Sequence, residues 1–215
     1  MAFIHNLGVF LAVWACFGLS ASMAVADIKL PSPQTEGGMG LFEALKKRSS
    51  IAGGDFSLAE LTEAELSTIL WAAMGLNRGE KGWTVPMARG LAPYCKIFVA
   101  GTKGVWRYDW ATHSLIDVST DNIKGQVGEQ AFVRRASYIL IVVSDHKGLE
   151  AFKSQTDKDA LTNVLTGSIT QNVYLAAAAL SLGARYIQSM DVEAIKEALK
   201  LAEGEKPICL MLLGK

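Results

Sequence analysis

Two neighbouring side-chain amides, Gln171 and Asn172, interrupt an otherwise apolar helical pattern near the C-terminal end of the chain. The pattern spans residues 167–183 and closes with Gly183, which predicts a long, mostly buried helix ending in a left-handed glycine cap. Burying an amide without hydrogen-bond partners costs a few kcal/mol. The residues leave two kinds of partner open: neighbouring backbone groups or a bound polar ligand.

The sequence of this helix, Ser-Ile-Thr-Gln-Asn-Val-Tyr-Leu-Ala-Ala-Ala-Ala-Leu, resembles the nitroreductase family, specifically its secreted branch of streptolysin-biosynthesis and thiazoline-oxidase type dehydrogenases. Three further segments agree in the same order, at residues 41–50, at residues 61–78 and at the closing Leu213-Gly214. The resemblance covers about residues 28–214 and implies an FMN cofactor, which does the hydride transfer while the protein holds it. It also implies flavin-pocket roles for Gly167, Gln171 and Asn172.

A basic segment, Lys46-Lys47-Arg48-Ser49-Ser50, offers cations and hydroxyls that suit a flavin phosphate. The family uses an Arg-x-Ser-x-Arg pattern here, and Arg48 and Ser50 match its first two positions. The second arginine is missing, because residues 52–55 form what looks like an insertion. The alternative interpretation is a solvated basic helix end, which is favourable to the helix dipole.

A second family segment reads Arg-Thr-Ala-Pro-Ser-Ala-x-Asn and faces the flavin; residues 83–90 are its counterpart. Three positions match: Thr84, Pro86 and Ala88. Met87 replaces the serine, so a hydroxyl donor becomes a thioether that cannot donate. Arg89 stands with Gly90 near the expected asparagine. Arg78 and Arg89 are therefore candidate cations for the flavin site, or alternatively surface residues.

Two more positions depart from the branch. Leu165 replaces an aspartate two residues before Gly167, and Ile187-Gln188 replaces an Arg-Gly pair. The flavin motif set is thus partly eroded, and a fold can persist after its site has changed function.

The first 26 residues predict export. An apolar run from Leu7 to Ser20 precedes Ala24-Val25-Ala26, a cleavage pattern that would release a chain beginning at Asp27. An uncleaved anchor is the alternative, although the run is short for spanning a bilayer. Lipidation at Cys16 is disfavoured by Trp14 in place of a small residue. The sequence thus predicts a signal peptide at 1–26 and one nitroreductase-like domain at 27–215, working in a bacterial periplasm or outside the cell.

Composition excludes some classes of partner and site. Lys plus Arg and Asp plus Glu both number 21, so a nucleic-acid partner, which needs excess positive charge, is not expected. The scattered histidines His5, His113 and His146 predict no metal site. Cys95 and Cys209 each begin an apolar strand pattern, and buried free thiols are favoured over a disulfide, which requires closely aligned strands.

The coarse pattern alternates helices and strands. Helices are expected at 42–48, from the capping box Thr62 to Glu65 until about Gly75, at 157–182, and at 192–201 after an Asp191 cap. Strands are expected at 95–100, in a hairpin of 105–108 with 115–118, at 138–143 as a central strand, near Tyr186, and at 208–213. The order predicts an α+β sandwich with a mixed central sheet flanked by helices, including a long buried central helix.

Two functional hypotheses follow. In the first, the protein is an exported homodimeric FMN oxidoreductase that acts on a quinone, a nitroaromatic or an azoline ring, with no catalytic acid identified. The dimer follows from the resemblance and from the run Ala176 to Ala179, which permits close helix approach. In the second, the flavin has been lost, and a pocket lined by Trp71, Trp83 and Trp106 binds another ligand or a partner protein; these aromatics are alternatively plain core.

Overall fold

The computed structural model describes residues 27–52, 55–57 and 59–215. The predicted signal segment and Gly53-Gly54 of the expected insertion lie outside the described residues. Among the described residues, no helix has both the length and the apolar character needed to cross a membrane.

Helices and strands alternate along the chain. The helices are α1 Leu41–Lys47, α2 Glu63–Met74, α3 Gln155–Ala179 and α4 Val192–Leu199. The strands are β1 Ile28–Lys29, β2 Cys95–Gly101, β3 Gly104–Asp109, β4 Ser114–Ser119, β5 Tyr138–Asp145, β6 Gly183–Ile187 and β7 Glu205–Gly214. Every predicted helix and strand is present, with ends shifted by a few residues. The two-residue β1 was not predicted, because two residues carry too little pattern to detect.

The seven strands form one sheet in the order β1-β4-β3-β2-β5-β7-β6. Every neighbouring pair is antiparallel, so the prediction of a mixed sheet was wrong. The reason lies in one connection. The strands β5 and β6, joined through α3, run in the same direction, but β7 lies between them and is antiparallel to both. The predicted hairpin is confirmed by the pairing of β3 with β4.

The sheet separates two hydrophobic layers because alternate side chains of each strand point to opposite faces. Ile97 and Val99 pack with α2 and α3 on one face. Phe98 and Ala100 pack with α4 on the other. The central strand β5 is buried from Ile139 to Ser144, as its unbroken apolar run predicted.

Helix α2 begins at the predicted capping box. The Glu65 backbone N–H donates to Thr62 Oγ1 at 3.2 Å, and the Thr62 backbone N–H donates to Glu65 Oε2 at 2.6 Å. These reciprocal bonds satisfy two donors that a helix start otherwise leaves unpaired. They fix where α2 enters the core and therefore where its last turn meets α3.

Helix α3 ends differently from the prediction. Its left-handed residue is Ser181, at φ +57°, and not Gly183. The Leu182 N–H donates to the Ala177 carbonyl at 2.8 Å and the Ser181 N–H to that of Ala178 at 3.2 Å, a Schellman arrangement. Gly183 already belongs to β6, and a Cβ there would lie 2.6 Å from Ile51 Cδ1. The absence of a side chain at Gly183 therefore allows Ile51 to pack closely against β6, and this glycine does not cap the helix.

The two described cysteines, Cys95 and Cys209, are buried and unbridged. They lie on β2 and β7, and β5 runs between those strands. Two strand spacings amount to about 9.5 Å, which exceeds the Cα separation that a disulfide spans. The sequence left open whether the two cysteines form a disulfide or stay free. The strand order decides for free thiols.

Candidate functional site

One face of α3 carries the candidate site. Residues 164, 167, 171, 174 and 178 recur three or four positions apart, so they lie on the same side of the helix. The opposite side, with Leu165, Ile169 and Val173, is buried against the sheet. The helix is therefore only half-buried in the single chain, and the prediction of a mostly buried helix holds for its sheet-facing side alone.

The N-terminal half of this face borders a cavity of about 470 Å³. Four residues that the sequence predicted for the flavin site meet here: Pro86, Gly167, Gln171 and Asn172. A Cβ placed on Gly167 would have no heavy atom within 4 Å. The space above the helix at this point is therefore open to a ligand.

The two amides have different environments. The Asn172 side-chain N–H groups donate to the Ala72 carbonyl at 2.9 Å and to the Thr84 carbonyl at 3.1 Å. Its amide thus joins α3 to the end of α2 and to the segment that follows it. Gln171 is exposed at the cavity, so the expectation that both amides are buried was wrong for this residue. Backbone groups satisfy Asn172, and Gln171 is accessible to a ligand.

Further along the same face, Tyr174 contacts both predicted residues of the basic segment. Its hydroxyl lies 2.7 Å from Ser50 Oγ. The Arg48 guanidinium stands 5.3 Å from the centroid of the Tyr174 ring, a distance suited to a cation–π contact. Tyr174 was missed as a site residue, because a tyrosine in an apolar helix pattern carries no signal that distinguishes it from core.

A second cavity, of about 300 Å³, lies beside this contact. Lys47, Ser49 and Lys215 line it together with Tyr174. Lys47, the last residue of α1, and Ser49 line the cavity, while Arg48 and Ser50 lie against Tyr174. Lys215 is far away in sequence and has no motif around it, which is why the sequence did not point to it.

Lys215 also forms an ion pair, with its Nζ 3.2 Å from Glu65 Oε2. Burial raises the pKa of Glu65, but hydrogen bonds from Thr62 and Lys215 outweigh this effect and leave the pKa below its usual value. The carboxylate therefore stays ionised at neutral pH and holds the Lys215 ammonium near the mouth of the cavity.

The remaining predicted residues are not among those that line these two cavities. Arg78 is exposed next to a short 3-10 turn at 79–81. Ala88 lies in another such turn, and Arg89, at φ +52°, stacks over the Phe152 ring at 5.0 Å. The chain thus brings together six of the nine predicted residues, in two groups, and leaves Arg78, Ala88 and Arg89 elsewhere.

The three tryptophans do not form a common pocket. Trp83 and Trp106 are 7% and 4% exposed and belong to the core. Trp71 lines a cavity of about 400 Å³ with Trp110 instead. The ligand pocket that the second hypothesis required from Trp71, Trp83 and Trp106 is therefore absent from the described residues.

The two histidines that the structure describes, His113 and His146, make hydrogen bonds to neighbouring side chains. His113 Nε2 lies 2.7 Å from Ser67 Oγ and its Nδ1 lies 2.9 Å from Tyr108 Oη, and burial lowers the pKa of its imidazole. His146 contacts Gln155 and Asp159. Across residues 27–52, 55–57 and 59–215, no three His, Cys, Asp or Glu side chains group in a way that could hold a metal ion.

Comparison with known proteins gives consistent matches. The model of the "Nitroreductase family" matches residues 45–215. A nitroreductase-type protein of Methanocaldococcus jannaschii is 28% identical over 200 residues, which is 88% of this chain and 96% of the relative. The crystal structure of a nitroreductase-type protein from Ralstonia eutropha superposes with a TM-score of 0.82 at 29% identity, covering 89% of this chain and 90% of that one.

An FMN-dependent nitroreductase from Clostridium difficile also shares the fold. It superposes with a TM-score of 0.54 at 19% identity, covering 80% of this chain and 86% of that chain.

Replacing Asn172 by Ala tests whether its side-chain amide holds α3 to α2 and to the segment that follows α2. We expect Asn172→Ala to lower the free energy of unfolding by about 1–3 kcal/mol, because two half-buried carbonyls lose their donor. Urea denaturation followed by circular dichroism measures this. Gln171→Ala is the matched control, and its exposed amide should change stability by less than about 0.5 kcal/mol. Equal effects of the two substitutions would contradict the assignment.

Proposed function

The chain belongs to the nitroreductase family, and on that premise we propose that it is an exported, homodimeric FMN-dependent oxidoreductase. It reduces or oxidises a small organic substrate of the quinone, nitroaromatic or azoline type. The family match and its structural neighbours support a nitroreductase-type function and a flavin cofactor.

The observation that carries the proposal is the cluster of cations and hydroxyls around Tyr174. Arg48 and Ser50 touch that side chain, and Lys47, Ser49 and Lys215 line the cavity beside it. A phosphate dianion is bound best by several charge-assisted hydrogen bonds at once. The donor set present here fits that group, and Lys215, whose ammonium pairs with Glu65, adds a cation beside the cavity.

The other cavity has a different character, which fits the ring end of the cofactor. Pro86 and Val164 give apolar surface, while Gln171 offers an exposed amide. A flavin bound there supplies the hydride chemistry. The chain's own contribution is to hold the phosphate at Arg48 and Ser50 and to leave the surface above Gly167 open for a substrate.

A homodimer is supported by apolar side chains that are exposed on α1 and on α3. Phe42 and Val164 are 85% and 66% exposed, and Leu41 and Leu45 are also exposed. Helix α1, which carries three of these residues, packs against α3. A surface of this kind on a single chain marks an interface. A twofold partner placed there would cover the face of α3 that borders both cavities.

Export is supported by the apolar run and small-residue pattern of residues 7–26. If the segment is cleaved, mass spectrometry of protein from the native host should find an N-terminus at or near Asp27. Recovery of intact Met1 from the soluble extracellular or periplasmic fraction would contradict cleavage.

Titrating FMN into the apoprotein tests the proposed cofactor. The wild type should bind FMN, with quenching of flavin fluorescence and an absorbance band in the visible region. Arg48→Ala should weaken FMN binding by about 1.5–3 kcal/mol, because a charge-assisted hydrogen bond is lost, which is roughly ten- to a hundredfold. Its stability without flavin should change by at most about 1 kcal/mol, the size of an exposed cation–π contact.

Lys46→Ala and Lys47→Ala are the controls for this experiment. Lys46→Ala removes the same charge from the same helix end and should leave FMN affinity within about twofold, as expected for an exposed charge. A large loss in Lys47→Ala with none in Arg48→Ala would move the phosphate to the Lys47 side of the segment. No binding of FMN to any variant, wild type included, would refute the cofactor and favour a flavin-free protein.

The proposed dimer is tested by charging its apolar face. Phe42→Glu should convert the dimer to monomer at micromolar concentration, because a carboxylate would be desolvated at the interface. Sedimentation velocity measures the change. Lys103→Glu, which places the same carboxylate in the exposed turn between β2 and β3 and changes the net charge by even more, should remain dimeric. A folded wild-type monomer at that concentration would contradict the proposal.

A further inference from the structure

The Tyr174 hydroxyl sits between two hydrogen-bond partners from different parts of the chain. It accepts the backbone N–H of Tyr186 at 2.8 Å, and it lies 2.7 Å from Ser50 Oγ. Tyr186 belongs to β6, an edge strand of the sheet. One phenol therefore joins α3, the sheet edge and the basic segment.

The two contacts allow an arrangement in which the phenol donates to the serine, and across the Ser50 contact either hydroxyl can be the donor. The Tyr186 N–H is a donor only, so the phenol oxygen accepts there. Its own O–H is then free to donate to Ser50 Oγ. A serine hydroxyl that accepts from a phenol keeps its own proton for another acceptor. Ser50 is exposed, so this proton is available to an anion in solution or in the site.

The Tyr174 ring has a second effect, on Arg48. The guanidinium stacks over the ring at 5.3 Å, which restricts a side chain that otherwise has many rotamers. Fixing a donor before it binds reduces the entropy lost on binding. Tyr174 thus acts on both predicted phosphate ligands, on one through its hydroxyl and on the other through its ring.

The backbone of the segment has its own attachments. The Ile51 N–H donates to the Ala184 carbonyl at 3.1 Å, and Arg185 Nη1 donates to the Ile51 carbonyl at 2.8 Å. Loss of the Tyr174 hydroxyl therefore leaves the segment anchored to β6. What changes is the orientation of Ser50 and not the path of the chain.

We infer that Tyr174 is a positioning residue for anion binding. It aims the Ser50 hydroxyl and holds the Arg48 guanidinium so that both donate to the phosphate of the flavin. This inference rests on the proposed function. FMN and riboflavin share the isoalloxazine ring and the ribityl chain and differ only in the phosphate. The difference between their affinities therefore measures the contribution of the phosphate contact.

The test compares FMN with riboflavin in the apoprotein, using fluorescence quenching to measure both dissociation constants. Tyr174→Phe keeps the ring beneath Arg48 and removes only the hydroxyl. We expect FMN affinity to fall about tenfold, as for a weakened hydrogen bond to a charged group, while riboflavin affinity stays within about twofold of wild type. Tyr138→Phe, a phenol deletion on β5, is the matched control and should change neither constant.

A double-mutant cycle identifies the route of the effect. If Tyr174 acts through Ser50, Ser50→Ala with Tyr174→Phe should bind FMN no worse than Ser50→Ala alone, because the positioned donor is already gone. Tyr174→Leu, which also removes the ring beneath Arg48, should lose more FMN affinity than Tyr174→Phe. Additive losses in the cycle would show that Tyr174 does not work through Ser50 and would overturn the inference.

The outcomes separate failure of this inference from failure of the proposed function. An equal loss of FMN and riboflavin affinity in Tyr174→Phe would indicate a general structural role of the hydroxyl. Unchanged FMN affinity would indicate that the hydroxyl has no role. Either result overturns the inference but does not contradict the proposed FMN cofactor. A wild type that binds neither flavin refutes the proposed function itself. A wild type that binds both flavins equally removes the phosphate contact and the inference with it.

Discussion

The packing of α3 against one face of the antiparallel sheet is the interaction on which the rest of the structure depends. Leu165, Ile169 and Val173 are fully buried in that contact, and each buried side chain of this size contributes about 1.5–3 kcal/mol. Because the helix is fixed on its inner side, its outer side becomes a rigid platform. Both candidate cavities and the exposed apolar surface border that platform, so their geometry follows from one helix orientation.

Neighbouring positions on this helix have separate tasks. Asn172 uses its amide internally, as a bridge between α2 and the segment that carries Pro86. Gln171, one residue earlier, points to open space. Successive residues of an α-helix are rotated by about 100° around its axis. One of two neighbouring amides can therefore hydrogen-bond within the protein while the other is accessible to a ligand. An amide in a helix pattern therefore has no fixed meaning until the neighbours of its face are known.

The sequence was sufficient for the order of elements and for the family, because periodicity, the capping box at Thr62 and the ordered motifs are local signals. It was not sufficient for strand adjacency. The insertion of β7 between β5 and β6 depends on a pairing that no local pattern encodes, and this pairing made the sheet antiparallel. The motif match placed Pro86, Gly167 and Asn172 at one cavity, whereas Arg78, Ala88 and Arg89 line neither of the two cavities. Tyr174 and Lys215 could not be identified from the sequence, because each contacts residues that are distant from it along the chain.

The separation of Cys95 from Cys209 by a whole strand has a consequence for how the protein tolerates its surroundings. Burial raises the pKa of each thiol to about 12, so at neutral pH neither forms the thiolate that oxidants and disulfide exchange require. These two cysteines therefore form no disulfide in an oxidising compartment, and the folded domain has no disulfide between them to lose in a reducing one. Its stability depends on packing, hydrogen bonds and ion pairs and on no disulfide between these cysteines, so the same native state is available on either side of a membrane.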